Sequence, residues 1–227
     1  MINELINDMV DAGVHYGHQT KKWNPKMKPY LMKDKAGIYI IDLDKTVKCL
    51  DKASDFLSGL ANKGKKILFV GCKRQAQEAI KQSAEATKQY YVNHRWLGGM
   101  LTNMSTVKKS IERLKWLENL EKSPDFKKIS KKEFAALTRE KNKLRRNLDG
   151  IRSMEGLPDA LVIVDSARES IAVAEGRRLN IPIVAIVDTN ADPDVVDYPI
   201  PGNDDSVRSI RIVLQNLVDA IVVGKQS

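Results

Sequence analysis

The chain has 227 residues, 42% hydrophobic and 30% charged, and its 38 Lys and Arg against 29 Asp and Glu give a formal charge of +9 at pH 7. That balance excludes a collagen-like, disordered or disulfide-stapled polypeptide, and the longest apolar runs, 160–164 and 183–187, fall far short of the roughly 20 residues that cross a bilayer. Cys49 and Cys72 lack any paired Cys/His spacing, which excludes a zinc knuckle and leaves both as small buried residues of a reducing compartment.

The opening Met1-Ile2-Asn3-Glu4-Leu5 has neither a basic lead nor an apolar core, so the chain is expected to stay inside the cell. Next comes Gly13-Val14-His15-Tyr16-Gly17-His18, whose glycines let either imidazole turn inward. Lys21, Lys22, Lys26 and Lys28 are then interleaved with Trp23, Tyr30, Pro25 and Pro29. The prolines predict an extended strap rather than a helix, and the lysines suit phosphate contacts. Trp23 either stacks on an exposed base or packs beneath the loop.

Ile38–Ile41 reads as a strand, Asp44 as an N-cap, and Val47, Leu50, Phe56, Leu57 and Leu60 as a helix that fades by Gly64. Residues 67–71 form a wholly apolar strand, followed by a helix over about 74–88. Two further buried strands, 160–164 and 183–187, flank a helix over about 169–179, and a last helix spans about 205–223. Strands alternating with helices predict an α/β fold, a parallel sheet with helices on both faces, flavodoxin- or Rossmann-like.

Residues 102–152 interrupt this core, dividing it into 1–101 and 153–227. Met104, Val107, Ile111, Leu114 and Leu117 step by three or four, and Phe134, Leu137, Leu144, Leu148 and Ile151 repeat the pattern after a break at Ser123-Pro124-Asp125. Two narrow seams predict an inserted antiparallel α-helical coiled-coil hairpin, each arm about four turns long. Residues 105–152 carry 15 basic and 7 acidic side chains, whereas 153–227 carry 6 and 12. The hairpin therefore faces a polyanion, and Lys108, Lys109, Arg113, Lys115, Arg139, Lys143, Arg145 and Arg146 are free to point outward.

No enzyme signature accompanies the core. The strand-to-helix turns lack GxGxxG, a P-loop and a GxSxG elbow. Lys73 and Arg74, after Gly71, could hold a lone phosphate of a polymer but could not enclose a nucleotide. His94, Arg95 and Trp96, before Gly98-Gly99, form the root of the hairpin and a second candidate RNA surface. Asp188, Asp192, Asp194, Asp197, Asp204 and Asp205 crowd eighteen residues. Their repulsion could be relieved by zinc, if a histidine is near, or by magnesium. Equally, Asp192-Pro193 reads as a turn and Asp204 or Asp205 as a helix cap. A nucleotide-using protein with a transfer-RNA grip and a partner for an acidic coiled coil are the competing readings.

Six motifs in order, among them Gly13–Gln19, Trp23–Met27, Asn93–Asn103 (NHRWLGGMLTN), Gly156-Leu157-Pro158-Asp159, Asp188-Thr189-Asn190 and Pro199–Asp205, resemble the family of the second protein of the small ribosomal subunit, bacterial or organellar type. The resemblance implies a cytoplasmic, non-enzymatic constituent of the ribosome that binds small-subunit ribosomal RNA. It implies neighbouring ribosomal proteins as partners, including the large messenger-binding one, with no membrane and no small-molecule substrate. It also implies that no cofactor is required, and that a zinc ion, if held, would sit at His18, Asp188, Asp204 and Asp205. Tyr16 stands where Phe is common in the family, Ala191 where Ser or Cys is usual, and the acidic tail of some relatives is not seen by Ser227.

Overall fold

The computed structural model describes residues 2–35, 37–122 and 130–226. Eight strands form two sheets. β1 (Tyr16–Gln19), β2 (Leu31–Lys35) and β3 (Ile38–Ile41) make a small antiparallel sheet in the order β1-β3-β2. β4 (Ile67–Val70), β5 (Tyr90–Val92), β6 (Ala160–Val164), β7 (Ile183–Val187) and β8 (Tyr198–Pro201) make a wholly parallel sheet in the order β5-β4-β6-β7-β8. Ile38–Ile41 thus belongs to the side sheet and not to the parallel core. The edge position of β8 explains how a strand reading Tyr-Pro-Ile-Pro survives, since proline removes ladder donors that a central strand needs.

Every residue of β4, β6 and β7 is buried, which requires cover on both faces. Phe69, Val162 and Ile186 point to one layer. That layer is built by α1 (Ile2–Ala12), α2 (Leu43–Asn62), α3 (Gln77–Ala86) and, further along the chain, Ile210, Leu214 and Leu217. Leu68, Ile163 and Ala185 point the other way, onto Trp96, Ile151 and Val173.

The insertion consists of α4 (Met104–Lys122) and α5 (Lys131–Leu148), about five turns each. The break at Ser123-Pro124-Asp125 lies outside the described residues. Val107, Ile111, Leu114 and Leu117 are buried as the α4 seam predicts, and Val107, Ile111 and Leu148 join the second core layer, so the root of the insertion is part of the body. The two helices touch. Arg113 forks onto Glu140 at 2.9 and 3.0 Å, while Glu118 is bound by Arg152. Arg152 lies beyond the end of α5, after a 3-10 turn over Asp149–Ile151, so this second ion pair ties the turn below α5 back to α4. α6 (Ser170–Arg178) follows β6, and α7 (Val207–Gln226) closes the chain.

Local capping departs from expectation in three places. Asp42, not Asp44, caps α2 by accepting from the Lys45 N–H at 3.4 Å. Ser206 Oγ accepts from the Ser209 N–H at 3.4 Å at the start of α7, so neither Asp204 nor Asp205 is its cap. The proline strap is not extended but forms two 3-10 turns, Thr20–Lys22 and Pro25–Tyr30. Pro25 takes the first position of the second turn, where its missing N–H costs nothing, and Asn24 caps it.

Candidate nucleic-acid interface and the acidic cluster

The chain runs outward from β4 to β5 and then returns to β6, so β4 and β6 flank the crevice at which α/β sheets of this kind hold ligands. Here that crevice is filled by the protein's own charges. Lys73, after β4, places its Nζ 2.5 Å from Asp204, 2.6 Å from Asp205 and 3.3 Å from Asp165. Lys73 is only 8% exposed, so the sequence-based expectation that it meets a phosphate is overturned. Burial works against its charge, but the Asp204 and Asp205 carboxylates outweigh burial and hold its pKa above the usual value.

Asp204 is fully buried, and burial, then Asp188 and Asp165, push its carboxyl up to about 7. Its Oδ2 has no hydrogen-bond partner among the described residues. His18 lies between Asp188, 3.1 Å from Nδ1, and Asp205, 3.4 Å from Nε2. The hydrogen bond to Asp188 holds its pKa above the ordinary imidazole value. His18, Asp188 and Asp204 each offer a ligand atom within 4.8 Å of the others, a set compatible with a borderline cation such as zinc, and the orphaned Asp204 oxygen fits such an ion. Asp205 stands outside the set, engaged by Lys73.

Thr189, part of the Asp188-Thr189-Asn190 motif, ties the strap to this cluster. Its Oγ1 accepts from the His18 N–H at 2.8 Å and its carbonyl accepts from the Asn24 N–H at 2.7 Å. Trp23 is half-buried with its ring 4.8 Å from that of Tyr39, so one side of it packs against the small sheet. Lys26 pairs with Asp192 at 2.7 Å and Asp194 at 3.0 Å and is not a free cation. Lys21, Lys22 and Lys28 are exposed, as is Arg74 on the neighbouring turn.

At the root of the insertion, Glu175 is the residue that sequence reading missed. Buried on α6, its carboxylate accepts from Trp96 Nε1, from the Gly99, Leu101 and Thr102 N–H groups and from Thr102 Oγ1, all between 2.8 and 3.1 Å. Trp96, 7% exposed, is therefore an anchor and not an RNA contact. Gly99 turns the loop onto this carboxylate at φ +84°, a left-handed conformation that explains the glycine. No sequence pattern marks Glu175, since its helix carries several charges and only the contact distinguishes it.

Beside that root, Lys81, Tyr91, His94, Arg145, Arg146 and Asp149 line a cleft of about 270 Å³ between the body and α5. Burial, then Arg146, lowers the His94 pKa below the ordinary imidazole value. Lys108, Lys109, Arg139, Lys143, Arg145 and Arg146 are exposed with no ion-pair partner among the described residues, and His94 and Arg95 are exposed too. Arg113, in contrast, is committed to Glu140 and lies over Trp116, 4.4 Å from the ring centre.

The class defined by these features is an α/β body whose crevice is occupied by its own Lys and Asp side chains and which carries a cationic helical insertion. A family model described as Ribosomal protein S2 matches residues 9–224. The Small ribosomal subunit protein uS2 of Mycobacteroides abscessus is 53% identical over 222 residues, covering 98% of this chain and 80% of that protein. The chain belongs to the ribosomal protein S2 family: it is a structural, non-catalytic constituent of the small ribosomal subunit, of bacterial type.

Proposed function

We propose that this chain binds small-subunit ribosomal RNA through the unpaired cations of α4, α5 and the strap, centred on the cleft at the root of the insertion. The carrying observation is the convergence of Lys81, His94, Arg145 and Arg146 between body and α5. Two adjacent guanidinium groups can fork onto successive phosphates, an imidazole can hydrogen-bond a 2′-hydroxyl, and lysines on α4 extend the contact as point charges. Recognition would then follow the shape of folded RNA rather than its base sequence.

Replacing Arg145 and Arg146 by Glu, and separately Lys108 and Lys109, tests this by RNA binding measured across a salt series. Each lost phosphate contact flattens the slope of log affinity against log salt by about 0.7 to 0.9. A slope unchanged in both variants would remove the cleft and α4 from the interface.

The same reading gives the acidic end to a protein partner, the large messenger-binding ribosomal protein, in the cytoplasm. Asp205, at the cluster, is exposed, and with Asp188 and Asp204 it gives this end a surface unsuited to RNA. A zinc ion at His18, Asp188 and Asp204 would brace that surface by neutralising carboxylates that Lys73 satisfies only in part. Equilibrium dialysis with zinc should find one ion per chain and none after His18→Ala. Stoichiometric binding by the variant would place the ion elsewhere.

A further inference from the structure

Between α3 and α7 the first helical layer leaves an open groove of about 550 Å³. Ala79, Ser83 and Ala86 line its α3 side and are too small to fill it, while Ile212 and Val218 give its α7 side an apolar floor. Arg208 and Arg211, one helical turn apart and both exposed, stand on its rim with no ion-pair partner among the described residues. Their place is unusual in two ways. The segment 153–227 is net acidic, with 6 basic and 12 acidic side chains. Arg208 also lies in the first turn of α7, where the helix dipole disfavours a cation. Neither local charge balance nor helix stability explains the pair.

An apolar trough edged by two cations complements an amphipathic helix whose apolar stripe fills the trough and whose acidic residues meet the rim. A phosphate backbone would meet the arginines but leave Ala79, Ile212 and Val218 facing a charged chain. We propose that the α3–α7 groove docks an acidic amphipathic helix of a neighbouring protein of the small subunit. The proposal uses neither the α4–α5 insertion nor its RNA contacts, and stands or falls separately from them.

A photoreactive benzophenone side chain placed at Gln82, on the rim, tests it in assembled small subunits, with the adduct sequenced by mass spectrometry. The expected adduct is a polypeptide segment with Asp or Glu at helical spacing along an apolar face. Charge reversal by Arg208→Glu with Arg211→Glu should cut the adduct yield about tenfold, and Lys replacing the acids of the identified segment should restore it. Ala86→Trp fills the groove without altering its charge and should cut the yield equally, which separates occupancy from any fault in the charge-reversed chain. An adduct to RNA, the absence of a polypeptide adduct, or a yield unmoved by both variants overturns the proposal.

Discussion

Glu175 gathers five donors from one short loop, and this number decides its charge state. Burial alone would raise its pKa, but bonds from Thr102, Trp96, Leu101 and Gly99 outweigh burial and hold the carboxyl below the usual value. A depressed folded-state pKa means that its stabilisation is present above the ordinary carboxylate pKa and is lost as pH falls through the folded value. Glu175→Gln keeps the shape but turns an amide N–H₂ toward N–H donors, which should cost about 1 to 3 kcal/mol at neutral pH. Urea titrations from neutral to acid pH should show the difference between the two proteins shrinking as wild type becomes protonated. A constant difference would assign the loss to shape instead of charge. Trp96 marks the limit of reading such sites from sequence, because aromatic and basic neighbours give the same composition whether a ring meets a base or, as here, a buried carboxylate.

At the scale of elements, the buried strands β4, β6 and β7 were legible because continuous apolar runs have one physical explanation, cover on both faces. β5 has three residues and β8 contains two prolines, so neither carries that signal, and both are held by their neighbours in the sheet. The charge of the insertion was legible and its ion pairs were not, since periodicity reports which face of a helix is apolar and says nothing about where a long charged side chain will reach. The contact between α2 and α7 shows the same limit. Gly224 lies so close to Ser58 that an added Cβ would collide with the Ser58 carbonyl. Helix propensity favours Gly224→Ala by up to about 1 kcal/mol, whereas overpacking costs about 1 to 3 kcal/mol. The variant should melt several degrees below wild type. Equal or higher melting would mean that the helices move apart at no cost.

Across the whole molecule, charges from the carboxyl ends of successive strands meet at one point: Lys73 after β4, Asp165 after β6, Asp188 after β7 and Asp204 after β8. The acidic run was legible, but its cation was not, because Lys73 lies 131 residues from Asp204 and reads locally as half of a phosphate-binding turn. Its ammonium joins segments on either side of the insertion, so the body's two parts are fastened where an enzyme of this fold would hold substrate. Removing one partner of a buried ion pair costs about 3 to 5 kcal/mol, because the other charge stays behind unpaired. At about 2 to 4 °C per kcal/mol for a chain of this size, Lys73→Met should lower the melting temperature by roughly 10 °C. Adding Asp204→Asn removes the stranded carboxylate and should recover part of that loss, a non-additivity expected only of groups in contact. Calorimetry on both variants, with a chelator present so that no cation replaces the ammonium, decides the matter. If the second substitution deepens the loss instead, Lys73 stabilises the body by packing and not by answering the charge of Asp204.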